Sequence, residues 1–218
     1  MDLLAITDIH GRTDRYESML EQGPEPDVVV LGGDLTHFGT PDQAESIVES
    51  AREHANTVLA VAGNCDSAEI DRRLTDLGVS VHSEGKTVHG VGIFGVSAMP
   101  PWHGNMYAFS EADIDTYLQA GYSQVEHLDE HVIVSHTPPK NAEVDRVSSG
   151  EAVGSTSVRK WVDDLQPRLV ISGHVHEARG SSTIGPTRVV NCGPARDGFY
   201  ARIDLDPDGE TMIDLREM

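Results

Sequence analysis

Short apolar blocks punctuate the chain at Leu3 to Ile6, Val28 to Leu31, Val58 to Ala62, Val132 to Val134 and Leu169 to Ile171, each running into polar or glycine residues. Blocks of this length, without helical spacing, predict buried strands, the third of them spanning Thr57 to Val61. Between the first three the period changes. Tyr16, Met19 and Leu20 recur at helical spacing within Arg12 to Glu21, which Gly23-Pro24 ends. Ala44, Ile47, Val48 and Ala51 do the same in a helix opened by Pro41 and running to about Glu53. Strands alternating with helices predict a largely parallel sheet.

Further along the pattern shortens. Val79 to His82, Lys86 to His89 and Val91 to Val96 are strand-length segments with turn residues between them, and they predict antiparallel pairing. Pro100-Pro101-Trp102-His103-Gly104-Asn105 reads as a stiff aromatic loop before a helix capped by Ser110, with Asp113 three residues on. Thr137-Pro138-Pro139-Lys140 cannot be helical. Gly154-Ser155 caps a helix from Thr156 to Leu165, whose stripe of Val158, Trp161, Val162 and Leu165 puts Trp161 in the core. Strands are expected at Arg188 to Val190, Phe199 to Leu205 and Thr211 to Leu215, with a turn at Asp206-Pro207-Asp208-Gly209. The sum is an α/β chain of two mixed β-sheets packed face to face with helices outside, expected to form one domain over residues 1–218.

Composition narrows the function classes. The 36 Asp plus Glu outnumber the 16 Lys plus Arg, giving a net charge of -20. With no basic stripe, such a chain is disfavoured as a binder of nucleic acid. Its surface, rich in Asp and nearly free of Lys, resembles that of proteins from salt-loving archaea. No apolar run is long enough to span a membrane, and Met1-Asp2 leads straight into the first strand, so a cytoplasmic location is expected. Two cysteines, Cys65 and Cys192, are too few for a disulfide framework.

The chemistry sits where strands run out. Asp8 and His10 follow the first strand, Gly33-Asp34 the second, Gly63-Asn64-Cys65-Asp66 the third, His136 the fourth and Gly173-His174-Val175-His176 the fifth. Alone, a His or Asp after a strand is commonly a cap, a turn residue or a solvated side chain. Together they deliver metal-ligand types to the strand ends where open α/β sheets bind ligands.

Asp-x-His, Gly-Asp, Gly-Asn-Cys-Asp, a lone His and Gly-His-x-His, spread from Leu3 to about Gly193, resemble the motifs of the calcineurin-like metallophosphoesterases. His136-Thr-Pro-Pro, Gly-His-Val-His-Glu177 and Asn191-Cys192-Gly193 look like the Icc-related branch, named for a cyclic-nucleotide phosphodiesterase. The resemblance implies a four-layer αββα sandwich and two divalent metal ions, Mn first among Mn, Fe, Ni, Co and Zn. It implies that Asp34 bridges them, that Asp8, His10 and His176 complete one site, and that Asn64, His136 and His174 complete the other. Such a pair activates a water and clamps the phosphoryl oxygens of an ester. Asp34, Asn64, His136 and Cys65 form the expected catalytic group, and substrate contacts are expected of Asn64, Arg12, Trp102 and His103.

One position departs from the commoner pattern. Many members have His where this chain has Cys65, so the residue either packs or carries chemistry, and both readings stay open here. Asp66 is expected to fix its loop or a ligand rather than touch metal. The favoured function is a phosphodiesterase for small or nucleotide-like diesters, with self-association left open. A nuclease of the same family is disfavoured by the acidic surface. A non-catalytic scaffold on this fold is disfavoured because all seven ligand positions hold competent residues.

Overall fold

Along β1 (Asp2–Ile6) successive side chains face opposite ways: Leu4 and Ile6 enter one apolar cluster while Leu3 and Ala5 enter another. That alternation builds the molecule. The computed structural model describes residues 1–102, 104, 106–206 and 209–218. In it β1 pairs in parallel with β2 (Val28–Gly32), which pairs in parallel with β3 (Thr57–Val61). The other side of β1 is closed antiparallel by β10 (Phe199–Leu205) and then β11 (Thr211–Glu217). The second sheet has the order β4-β5-β6-β7-β9-β8. Its strands are β4 (Gly85–Val88), β5 (Val91–Val96), β6 (Glu130–Ser135), β7 (Leu169–Ser172), β8 (Gly180–Ile184) and β9 (Thr187–Asn191). Strands β5, β6, β7 and β9 run parallel, and β4 and β8 are antiparallel edges.

Three apolar clusters fill the spaces between four layers. α1 (Thr13–Leu20), α2 (Pro41–Arg52) and α3 (Ala68–Asp76) bury Tyr16, Met19, Ile47, Ile70 and Leu74 against Leu4, Ile6, Val29 and Leu31 of the first sheet. The sheets meet through Leu3, Val30, Leu59 and Val61 on one side and Ile93, Val132, Val134 and Ile171 on the other. α4 (Glu111–Tyr122) and α5 (Thr156–Leu165) cover the second sheet with Ile114, Leu118, Val158, Trp161 and Val162. This is the αββα sandwich, and Trp161 is buried within it.

The capping chemistry that starts these helices is local. Thr40 and Gln43 form a reciprocal box across Pro41, Ser110 and Asp113 form another, and Ser155 accepts from the Val158 amide at 3.1 Å. Three segments differ from expectation. Ala68–Asp76 is a helix that periodicity did not mark, capped by Ser67. Val79 to His82 is no strand: Ser80 makes a single bridge to Ala60 and His82 one to Gly95, so the segment crosses between the two sheets. Gly180–Ile184 is an added edge strand with little apolar content. No helix among the described residues is long and apolar enough to cross a membrane.

Candidate metal centre

The carboxyl ends of β1, β2, β3, β6 and β7 converge because their loops are bonded to one another. Asp8 donates its amide to Gly33 O at 2.9 Å and His10 to Asp34 O at 2.8 Å. Gly173 donates to His136 O at 3.1 Å, and the His174 amide lies 3.2 and 3.1 Å from the two carboxylate oxygens of Asp8. Four residues pay a backbone cost to be there: Asp8 (φ 56), His10 (φ 49), Asp34 (φ 49) and His174 (φ 66) all lie in the left-handed region. Each such residue is strained by roughly 1–2 kcal/mol, a cost that concentrates at functional sites. Gly33 and Gly63 permit the approach, since a Cβ on Gly33 would strike the His136 ring and one on Gly63 the Asp34 carboxylate.

Asp34 stands in the middle. Its Oδ2 is 3.6 Å from His10 Nε2 and its Oδ1 is 3.5 Å from His136 Nε2. His10 Nε2 lies 3.4 Å from His176 Nε2, which is 3.2 Å from Asp8 Oδ1. On the other side His136 Nε2 is 3.0 Å from Asn64 Oδ1, and the rings of His136 and His174 are 5.1 Å apart. Asp8, His10 and His176 thus offer ligand atoms within 4.8 Å of one another, as do Asp8, Asp34 and His136. The structure brings all seven expected residues together.

Tautomers follow from the partners. A carbonyl only accepts, so the 2.9 Å contact to Gly32 O puts a proton on His136 Nδ1. In the neutral ring Nε2 then carries a bare lone pair facing two oxygens, Asn64 Oδ1 and Asp34 Oδ1. That lone pair is open to a cation, or to the Asn64 NH2 if the amide is turned. The ionisation tendencies agree: burial opposes charge on His136, but Asp34 and Asp8 outweigh it and push its pKa up. Burial also resists ionisation of Asp8, yet its hydrogen bond to His176 and the charges of His136 and His176 hold it well below the usual range. Burial, with Asp8 and Asp66 adding to it, raises Asp34 to about 6. Burial lowers His10 to about 4 and His174 to about 3, so both rings are neutral and keep a lone pair near neutral pH. The donor set therefore fits divalent cations.

Asp66 takes no part in that set. It accepts from the amides of Leu35 at 3.0 Å, Thr36 at 2.9 Å and Gly63 at 2.8 Å, and from the Thr36 hydroxyl at 2.8 Å, tying the second and third loops together. Cys65 is buried, its amide donating to Asp34 Oδ1 at 2.7 Å, and burial together with Asp34 pushes its thiol pKa up, so it is a neutral thiol. Arg12 is exposed and bound to Asp14 at 3.2 Å. Trp102 is 44 % exposed and lines a cleft of about 220 Å³ with His174, Lys140 and Glu151. His103 lies outside the described residues.

Two neighbours were not foreseen. Arg196 reaches His176 Nδ1 at 3.2 Å from a short turn whose amides at Ala195 and Arg196 donate to Thr7 O and Asp8 O. A guanidinium only donates, so in this arrangement His176 accepts at Nδ1 and carries its proton on Nε2. A cation at Nε2 requires the other tautomer, and Arg196 must then turn away. His37 packs its ring 5.5 Å from that of His10. Its place three residues after Asp34 was the available signal.

Comparison with known proteins bears on the family and the fold. The chain is 34% identical over 202 residues to an uncharacterized protein of Methanocaldococcus jannaschii, covering 89% of this chain and 88% of that protein. It is 26% identical over 203 residues to a probable cyclic nucleotide phosphodiesterase of Synechococcus sp., covering 84% and 74%. The fold is similar to that of the TT1561 protein of Thermus thermophilus, with a TM-score of 0.79 at 18% identity over 99% and 98% of the two chains. The model of the calcineurin-like phosphoesterases matches residues 1–178, and the chain belongs to that family, whose members use a dinuclear divalent metal centre.

Proposed function

We propose that the protein is a metal-dependent phosphodiesterase that hydrolyses small, nucleotide-like diesters at a dinuclear centre. The observation that carries this reading is the placement of Asp34, one carboxylate oxygen facing His10 and the other facing His136. In this reading Asp8, His10, Asp34 and His176 hold one ion, and Asp34, Asn64, His136 and His174 hold the other. The mixed imidazole, carboxylate and amide set suits Mn, Fe, Ni, Co or Zn better than Ca, and Mn is the ion we propose first. Bound there, two divalent ions would activate water and offset the charge on the phosphoryl oxygens.

The chain's own groups supply the rest. The Gly32 carbonyl fixes the His136 ring so that Nε2 points inward. Burial of Asp8, Asp34 and Asn64 keeps bulk water from screening their charges and dipoles. Arg196, released from His176, can turn its fork to a phosphate oxygen. The diester preference draws support from the name of the Synechococcus relative and from the cleft beside His174, which Trp102 lines and which has room for a group esterified to the phosphate. Lys140, in the same cleft, makes no ion pair among the described residues and offers charge to an anion.

The test is a panel of phosphodiesters and monoesters assayed with Mn, Ni, Co, Zn and Mg. Highest kcat/KM on activated diesters, with Mn among the best metals, is the expected result. Cleavage of monoesters alone would contradict the diester assignment.

A further inference from the structure

The leaving oxygen of a phosphoester needs a donor, and the buried ligand groups are already engaged with one another, so the donor is sought at the rim of the site. Cys65 is a poor donor there. A thiol is a weak hydrogen-bond donor, and this one is buried. An imidazole stands beside it. A ring nitrogen of His37, Cys65 Sγ and a ring nitrogen of His10 lie within 4.8 Å of one another, with His37 the exposed member. The ring is held from both sides, edge-on to His10 at 5.5 Å and to Phe38 at 5.1 Å. Its loop is pinned to the Cys65 loop by the Phe38 amide, which donates to Cys65 O at 2.8 Å. Yet the ring nitrogens of His37 make no hydrogen bond among the described residues, while the His10 and His136 rings are turned inward to Asp34.

We propose that His37 is a catalytic residue of this enzyme, donating a ring N–H to the leaving oxygen of the ester. The inference rests on the phosphoesterase reading above and deepens it. The role needs only a ring N–H, which both neutral and protonated imidazole carry. In the reaction the oxygen of water forms a bond to phosphorus and the ester P–O bond breaks, leaving its electron pair on the departing oxygen. That oxygen is stabilised by the His37 N–H and ends as an alcohol bearing one proton from the water. The second proton leaves with ionisation of the product phosphate. Help of this kind matters most when the departing oxygen is strongly basic.

The experiment compares wild type, His37→Ala and His37→Ala/Cys65→His on the phenyl and p-nitrophenyl esters of thymidine 5'-phosphate, with phenyl and p-nitrophenyl phosphate alongside. Metal content is measured on each preparation. We expect His37→Ala to lose about 10²-fold in kcat/KM on the phenyl diester, with its basic leaving group, and less than about fivefold on the p-nitrophenyl diester. Metal content stays at the wild-type level. Recovery of about tenfold on the phenyl ester in the double variant supports the role further, because it restores an imidazole at the neighbouring position. Equal losses on both diesters overturn the proposal, and so does loss of metal, which would make His37 a ligand. Wild type that cleaves only monoesters overturns the diester reading, and the proposal is then decided on the phenyl and p-nitrophenyl phosphate pair. Wild type that cleaves none of the four with any of the five metals overturns both.

Discussion

Nε2 of His10 faces Nε2 of His176 at 3.4 Å, although 166 residues separate them in the chain. Two ring nitrogens this close share either a proton or a cation. With Asp8 Oδ1 3.2 Å from the second, the pair marks one half of the proposed centre. His176→Ala should therefore weaken one ion and His174→Ala the other, each with the fold intact. Metal content and affinity measured on the two variants check this, and identical loss of both ions from each would count against the division.

Asp34→Asn should cost at least about a hundredfold in kcat/KM, because the shared charge between the two halves is gone. Its effect on stability should have the opposite sign. Burial raises the folded-state pKa of Asp34 to about 6 from an ordinary 3.8, so the native state binds the proton more tightly than the unfolded chain. Stability from that group is present below the ordinary value and is lost as pH rises through about 6. Asn carries no charge and escapes the loss. Asn also withdraws the carboxylate that favours charge on His136, so the readout is the pH dependence. In chelator the Tm of Asp34→Asn relative to wild type should rise as pH increases through about 6, and a difference that stays constant with pH would refute the argument.

Arg196→Ala should separate metal binding from substrate binding. The guanidinium holds His176 in the tautomer that a cation cannot use, so its removal should tighten metal binding on that side. The same change removes a phosphate-binding fork and should raise KM about tenfold or more. Calorimetric metal titration and steady-state kinetics read the two effects, and weaker metal binding would make Arg196 a support for His176 instead.

Glu111 ties the two outer helices together, accepting from Ser155 Oγ at 2.7 Å and from the amides of Thr156 at 2.8 Å and Ser157 at 2.9 Å. Partial burial works against its charge, but these donors outweigh it and lower its pKa below the ordinary 4.5. Its stabilisation is therefore present above the ordinary value and is lost as pH falls through the lower folded value. Glu111→Gln should destabilise by about 1 kcal/mol at neutral pH, a figure reduced for partial solvent exposure. Urea unfolding at stepped pH should show the gap closing below pH 4.5, and a constant gap would remove the carboxylate charge from the account.

The strands that carry the chemistry were legible because each is a pure apolar block ending in ligand types, as Val28 to Leu31 ends at Asp34. What escaped has physical causes. Helix α3 buries only Ile70, Asp71 and Leu74, too few apolar positions for periodicity to mark. Val79 and Val81 alternate like a strand because both are buried, but one faces the cluster under the helices and the other the seam between the sheets. Arg196 reaches the site from a turn at the far end of the chain, through backbone bonds to Thr7 and Asp8 that no local pattern announces. His37 gained meaning only when the Phe38 amide was found bonded to the Cys65 loop. Local alternation reveals burial, whereas contacts between distant loops depend on the completed fold.

The central claim is that Asp34 is shared by two cations, and metal stoichiometry measured together with turnover tests it most directly. Protein freed of metal and titrated with Mn should take up two ions per chain, with diester hydrolysis appearing only as the second binds. Asp34→Asn treated in the same way should bind at least one ion more weakly and stay inactive. Full activity with a single ion bound, or unchanged uptake of both ions and unchanged turnover in Asp34→Asn, would contradict the account.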